Sequence, residues 1–215
     1  MKRFIIISMV LAFFVQPTSA QSYKLLMPSF VIDVDDGTLL NNQQVLIKDN
    51  KILAIGRDLI NEHDLAVDQV QKVDLAGLTL MPGMIDAHSH ILLHPYSETN
   101  WNDQVLLESR AERVARAVGH LKATIDAGFT SLRDLGSEGA GYADVGLKRT
   151  LAKGIIVGPR LIVAGRAIVA TGSYGPKGFD LSHDLTLGAE PADGNDLIRV
   201  TRDQMGKGAD IVKVY

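Results

Sequence analysis

Cysteine is absent from the 215 residues, and with it go disulfides, thiolate nucleophiles and cysteine-based zinc or iron–sulfur sites. Any metal must therefore rest on histidine, carboxylate or a modified side chain. A surplus of positive charge is missing too. Lys and Arg number 22 against 25 Asp and Glu, for a net charge of −3, which is not the electrostatic footprint of a nucleic-acid binder. No apolar run approaches the roughly 20 residues that a bilayer core requires. What remains is an ordinary globular composition, 46% hydrophobic and 22% charged, in a chain long enough to bury a core.

Residues 1–20 read as a secretory signal peptide. Lys2 and Arg3 supply the basic start, Phe4 to Val15 the apolar run, Pro17 its stop, and Thr18-Ser19-Ala20 the small residues of a processing site. Cleavage after Ala20 would leave a periplasmic or secreted protein with no membrane attachment.

Beyond it the apolar residues from Tyr23 to Leu80 come in short bursts parted by turn signals, Asp35-Asp36-Gly37, Asn41-Asn42, Asp49-Asn50 and Gly77. Short antiparallel strands are expected, with a hairpin around Asp49-Asn50. The rhythm changes at Pro82-Gly83. A short strand over Met84–Ala87 precedes a long helical pattern from Trp101 to Ala127, in which Trp101 and Val105 face a core and Gly128 is the stop. Strands are then expected at Thr130–Arg133, Pro159–Ala164 and Asp210–Tyr215, with helices over about 142–152 and 194–207 between them. Four strands alternating with helices imply a parallel sheet. A chain that stops inside an apolar strand reads as part of a longer protein, since half of a barrel would expose both sheet edges.

His88-Ser89-His90 stands at the end of the first of these strands, where parallel α/β folds carry their chemistry. In extended backbone, residues i and i+2 share a face about 7 Å apart, so two imidazoles can converge on one ion. Lys213 interrupts the apolar run Ile211, Val212, Val214 and Tyr215, and an ammonium there is costly. It is paired near the strand end, depressed in pKa for Schiff-base chemistry, converted by carbon dioxide into an anionic carbamate, or snorkels to water. The loop Thr171–Gly178 could wall a pocket, with Tyr174 as a contact and Lys177 reaching a substrate carboxylate. Lys177 is followed by Gly178 where a P-loop requires Ser or Thr, and Gly136 to Gly141 has its glycines in the wrong order for a dinucleotide fingerprint. Arg133-Asp134 suits an internal ion pair or a pocket-shaping role. His94 has no geometric reason to be a ligand; His63, His120 and His183 read as surface or packing residues.

The segment Leu80-Met81-Pro82-Gly83-Met84-Ile85-Asp86-Ala87-His88-Ser89-His90 closely resembles the start of the barrel in the amidohydrolase superfamily. Gly208-Ala209-Asp210-Ile211-Val212-Lys213 resembles the strand-four segment of the branch whose carboxylated lysine bridges two metal ions, a branch that includes prolidase-like dipeptidases and imidazolonepropionase-like proteins. The likeness runs from about Leu25 to Tyr215, through Ala127–Asp134 and Gly158–Ile168. It implies an α/β fold: the N-terminal half of a (β/α)8 TIM barrel in residues 80–215, preceded by part of a small β-sandwich domain in residues 21–79. It also implies two divalent metal ions, zinc foremost, with His88 and His90 on the more buried ion and carboxylated Lys213 bridging both. Two further histidines and an acid/base aspartate belong to strands beyond Tyr215.

The implied activity is metal-assisted hydrolysis of an amide or peptide C–N bond, in Xaa-Pro dipeptides or N-acyl amino acids, by a metal-activated hydroxide. Its partner is a small-molecule or dipeptide substrate; homo-oligomerisation is left open. By itself the 215-residue chain is expected to be poorly soluble and inactive. Two other readings stand beside this one: a Schiff-base lyase using Lys213, which leaves the histidines without a task, and an inactive or binding half-barrel.

Overall fold

The computed structural model describes residues 23–215 apart from 181, 184, 186 and 187. The expected signal peptide lies outside the described residues. Among those described, no helix is long and apolar enough to cross a membrane. The chain divides into two units between Pro82 and Gly83.

The N-terminal unit is built on β1 (Tyr23–Ile32), flanked by β2 (Leu39–Asn41) and β3 (Gln44–Lys48), with β4 (Lys51–Gly56) beyond β3. All of these pairings are antiparallel, as the turn signals imply. Asp49 forms the β3–β4 turn at φ 53°, the left-handed geometry that Asp and Asn tolerate. A short helix α1 (Leu59–Glu62) follows, and Leu59 closes the core formed by Leu25, Leu46 and Val70. The expectation of short antiparallel strands fails for β5 (Val70–Leu80), which pairs parallel with β1 from Tyr23↔Val70 to Val31↔Leu80. Such a pairing needs a long crossover and leaves no local turn signal. Among the described residues the unit is one five-stranded sheet carrying a short helix.

The second unit starts as a βαβαβ order. Its parts are β6 (Met84–Ser89), α2 (Trp101–Leu106), α3 (Arg110–Asp126), β7 (Phe129–Asp134), α4 (Ala143–Ala152) and β8 (Arg160–Val163), with strands parallel in the order β6-β7-β8. The long helical pattern is broken in two at Ser109, whose hydroxyl accepts the Glu112 N–H at 3.2 Å. That Ser-x-x-Glu spacing is an N-cap signature. Helix α3 buries Arg113, Ala117 and Leu121 at intervals of four and ends before Gly128 at φ 91°. With α4 it covers Leu132, Leu161 and Val163 on one sheet face, each fully buried aliphatic side chain contributing about 1.5–3 kcal/mol. On the opposite face Ile85 and Ile162 remain 70% and 47% exposed.

A parallel pair, β9 (Ile168–Val169) and β10 (Glu190–Pro191), and α5 (Asp196–Lys207) complete the unit. The expected fourth strand is corrected. Residues 210–215 make only an isolated parallel bridge, Val214↔Ile168. The Asp210 carboxylate itself accepts the Val163 N–H at 2.9 Å, occupying the place where a strand would offer a carbonyl. The run keeps the parallel direction and loses the continuous ladder.

Candidate functional site

Strand β6 delivers His88 near its end and His90 just past it, and their rings lie 5.4 Å apart between centroids at 62°. Extended backbone puts both on one side while Ser89 turns away, its carbonyl accepting the Leu135 N–H at 2.9 Å. His88 is exposed and His90 half-buried. His90 Nδ1 lies 3.1 Å from the Gly136 carbonyl oxygen and 3.6 Å from Glu138 Oε1. With the proton on Nδ1 donated to Gly136, Nε2 is left as the free nitrogen, which is how metal-binding histidines are commonly oriented.

Glu138, which no local motif announces, is the hub of this region. Only 1% exposed, its carboxylate accepts hydrogen bonds from Trp101 Nε1 at 2.9 Å, Tyr174 OH at 3.1 Å and Tyr215 OH at 3.0 Å. The Tyr174 and Tyr215 rings stack 4.2 Å apart, and Trp101 meets Tyr174 edge-on at 5.4 Å. Trp101, expected to serve the core, also spends its indole N–H on Glu138. Burial pushes the Tyr174 phenol up to about 12 and raises Tyr215 as well, so both hydroxyls stay protonated as donors at neutral pH. Its only sequence signal was an acid set among glycines just after a strand.

Lys213 is half-buried, with Nζ 4.6 Å from the Tyr215 ring centroid. Among the described residues no carboxylate pairs with it. A chain of contacts nevertheless runs from Lys213 through Tyr215 and Glu138 to His90, so Lys213 and His90 belong to one neighbourhood. Tyr174 is drawn into the same cluster. Lys177 stands apart: its side chain is exposed, and its backbone is tied to α2, where Asn102 Nδ2 donates to the Lys177 carbonyl at 2.8 Å. Among the described residues no three of His, Asp and Glu gather as a ready metal cage.

The expected Arg133–Asp134 partnership is corrected, because neighbours on a strand face opposite ways. Arg133 is exposed, and its Nε donates to the Ala87 carbonyl at 2.7 Å, bracing the strand that bears the histidines. Asp134 is fully buried and neither oxygen closes a normal hydrogen bond. Desolvation, then the nearby Asp144, hold its carboxyl well above the ordinary range, against a weaker pull from the Ile91 and Gly136 N–H groups. A raised carboxyl takes up a proton on folding. Its contribution to stability is complete below the unfolded value near 4 and drains away as pH rises toward the folded value. Thermal unfolding is accordingly expected to show stability falling as pH rises above about 4 toward the raised folded value, and Asp134→Asn should flatten that slope by up to about 1.4 kcal/mol per pH unit. Parallel profiles for the two proteins would contradict this account.

His94 is clasped by carboxylates rather than offered to a metal. Its Nδ1 lies 3.3 Å from Glu98 and its Nε2 3.1 Å from Glu108, while its ring meets His120 at 6.2 Å.

Allantoinase from Escherichia coli (strain CFT073) is 40% identical over 68 residues, 29% of this chain and 14% of that protein. A prolidase solved with N-methylphosphonate-L-proline is 29% identical with a TM-score of 0.72, covering 90% of this chain and 46% of its own. A Xaa-Pro dipeptidase with bound methionine superposes at a TM-score of 0.74 over 90% of this chain and 47% of that one, at 23% identity, which speaks for the fold alone. The chain thus spans about half the length of these two solved relatives, which share the mixed α/β fold of the amidohydrolase TIM-barrel superfamily. The profile of the amidohydrolase family matches residues 79–211, the stretch holding His88, His90 and the Gly136–Gly141 loop, and the chain belongs to that family.

Proposed function

We propose that this chain carries part of the active site of a metal-dependent hydrolase that cleaves amide C–N bonds, with His88, His90 and a carboxylated Lys213 as ligands to two zinc ions. The observation that carries the reading is the paired imidazoles at the end of β6, with His90 Nδ1 engaged by Gly136. Zinc held there would supply an activated water and polarise the scissile carbonyl. The chain's own residues orient the ligands: Gly136 and Glu138 set the His90 ring, Arg133 braces Ala87 just before His88, and Tyr215 carries Lys213 on its ring face. As substrates we favour Xaa-Pro dipeptides or N-acyl amino acids, a reading supported by the prolidase likeness. We further assign the mature protein to the periplasm or the secreted fraction, from the character of residues 1–20.

The test is zinc retention by the metal-free protein in the presence and absence of bicarbonate, which supplies carbon dioxide for the lysine. Bicarbonate is expected to raise zinc uptake by the natural sequence and to have no effect on Lys213→Ala. Uptake no greater than that of the His88→Asn/His90→Asn double variant would overturn the reading, and borohydride trapping of a carbonyl substrate on Lys213 would replace it with Schiff-base chemistry.

A further inference from the structure

Glu138 is held in an unfavourable backbone state to put a carboxylate where it stands. Its φ is 49°, in the left-handed region that non-glycine residues seldom enter. Around it Gly136 adopts φ 143° and Gly139 φ 84°, and a Cβ on Gly136 would come within 3.4 Å of Glu138 Oε1. The loop is fixed at several points. Arg113, itself 2% exposed, donates to the Ser137 carbonyl at 3.1 Å; the Ser137 N–H meets the Gly165 carbonyl at 2.8 Å; and the Gly139 N–H meets the Gly188 carbonyl at 2.9 Å. A loop tied so firmly presents its carboxylate in one place.

That carboxylate gathers groups from four separate segments: His90 past β6, Trp101 at the start of α2, Tyr174 in the loop after β9, and Tyr215 two residues beyond Lys213. Burying it without donors would be costly, and three neutral N–H and O–H donors meet that need. A carboxylate serving packing alone would have no reason to stand against an imidazole and against the segment of the candidate lysine together. We propose that Glu138 is a positioning residue for the candidate metal centre: it fixes the His90 ring and, through Tyr215, the segment bearing Lys213, so that one side chain sets the distance between two ligand-bearing parts of the chain. This rests on the metal reading above in so far as those residues are ligands. It assigns a task at the site to a residue outside the proposed ligand set. Loss of such an outer partner typically costs ~10–100-fold in metal affinity.

Trp101 is the sole tryptophan and donates its indole N–H to Glu138, so it reports on this cluster without any assay of catalysis. The experiment uses the full chain, zinc as probe, indole fluorescence as readout, and nitrogen-15 NMR of the His90 ring in the metal-free protein. In the natural sequence, zinc is expected to change Trp101 emission, and the His90 Nδ1–H signal to be sharp. Glu138→Gln keeps the shape and removes the charge; zinc affinity should fall ~10–100-fold, the emission change should vanish, and the His90 signal should broaden. Tyr215→Phe, which leaves Glu138 and the fold in place, should weaken zinc several-fold, and it serves if Glu138→Gln does not fold. Unchanged zinc affinity in both variants, or a His90 signal indifferent to Glu138→Gln while only Trp101 responds, would overturn the proposal. Failure of the metal reading looks different: the natural sequence takes up no zinc, yet the His90 signal still changes when Glu138 is replaced.

Discussion

Replacing His90 with asparagine is expected to weaken zinc binding by more than ~10²-fold, because losing an outer partner of a ligand already costs about 10–100-fold and here the ligand itself is removed. Asparagine retains a polar group of similar reach, and the Gly136 carbonyl can still be met by its amide, so the fold should be kept. His88→Asn should act in the same direction. The readout is equilibrium zinc binding under chelator competition, with thermal unfolding as the control. The effect should be confined to affinity, since His90 is only half-buried and anchors no part of the hydrophobic core. A His90→Asn protein that binds zinc as tightly as the natural sequence would remove the paired imidazoles from any account of the site.

The second large effect concerns folding. Gly83→Ala should destabilise the Gly83–Tyr215 unit by about 3 kcal/mol or more, at the upper end of what overpacking costs. A Cβ at Gly83 would lie 2.0 Å from Thr130 Cγ2, 2.3 Å from its Oγ1 and 2.7 Å from its Cβ. Thr130 sits on β7, directly beside the start of β6, and cannot turn all three atoms away, so the strands themselves would have to part. Shaving the side chain should reverse the damage: Thr130→Gly combined with Gly83→Ala should recover much of the loss, giving the non-additivity expected of residues in contact. Equal destabilisation in single and double variants, measured by denaturant unfolding, would show that the glycine is needed for another reason.

How much of the structure is legible in the amino-acid sequence follows the range of each signal. The His-x-His pair, the Asp49-Asn50 turn and the Gly128 helix stop are written in adjacent residues, and local backbone geometry suffices to interpret them. Glu138 is the opposite case: its partners stand at positions 90, 101, 174 and 215, and nothing in the run Gly136–Gly141 announces them. The parallel pairing of β5 with β1 was hidden for the same reason. Ser109 did carry a local message, a capping serine followed three residues later by glutamate, and the apolar periodicity running through it obscured the break. Arg133 and Asp134 were legible as a pair in sequence and separated by the alternation of a strand. Asp210 shows a further limit, for a side chain that imitates a backbone acceptor halts strand pairing while leaving the apolar pattern of Ile211, Val212 and Val214 untouched.

The arrangement of β1 in the N-terminal sheet bears on how that unit comes into being. One edge of β1 is satisfied early, by β2 and β3, within the first few dozen residues after Tyr23. The other edge waits for β5, which spans Val70 to Leu80. A growing polypeptide therefore carries an open row of amides and carbonyls until the message has been translated through Leu80, and a delay between these two stretches would prolong the time in which a foreign strand could dock there.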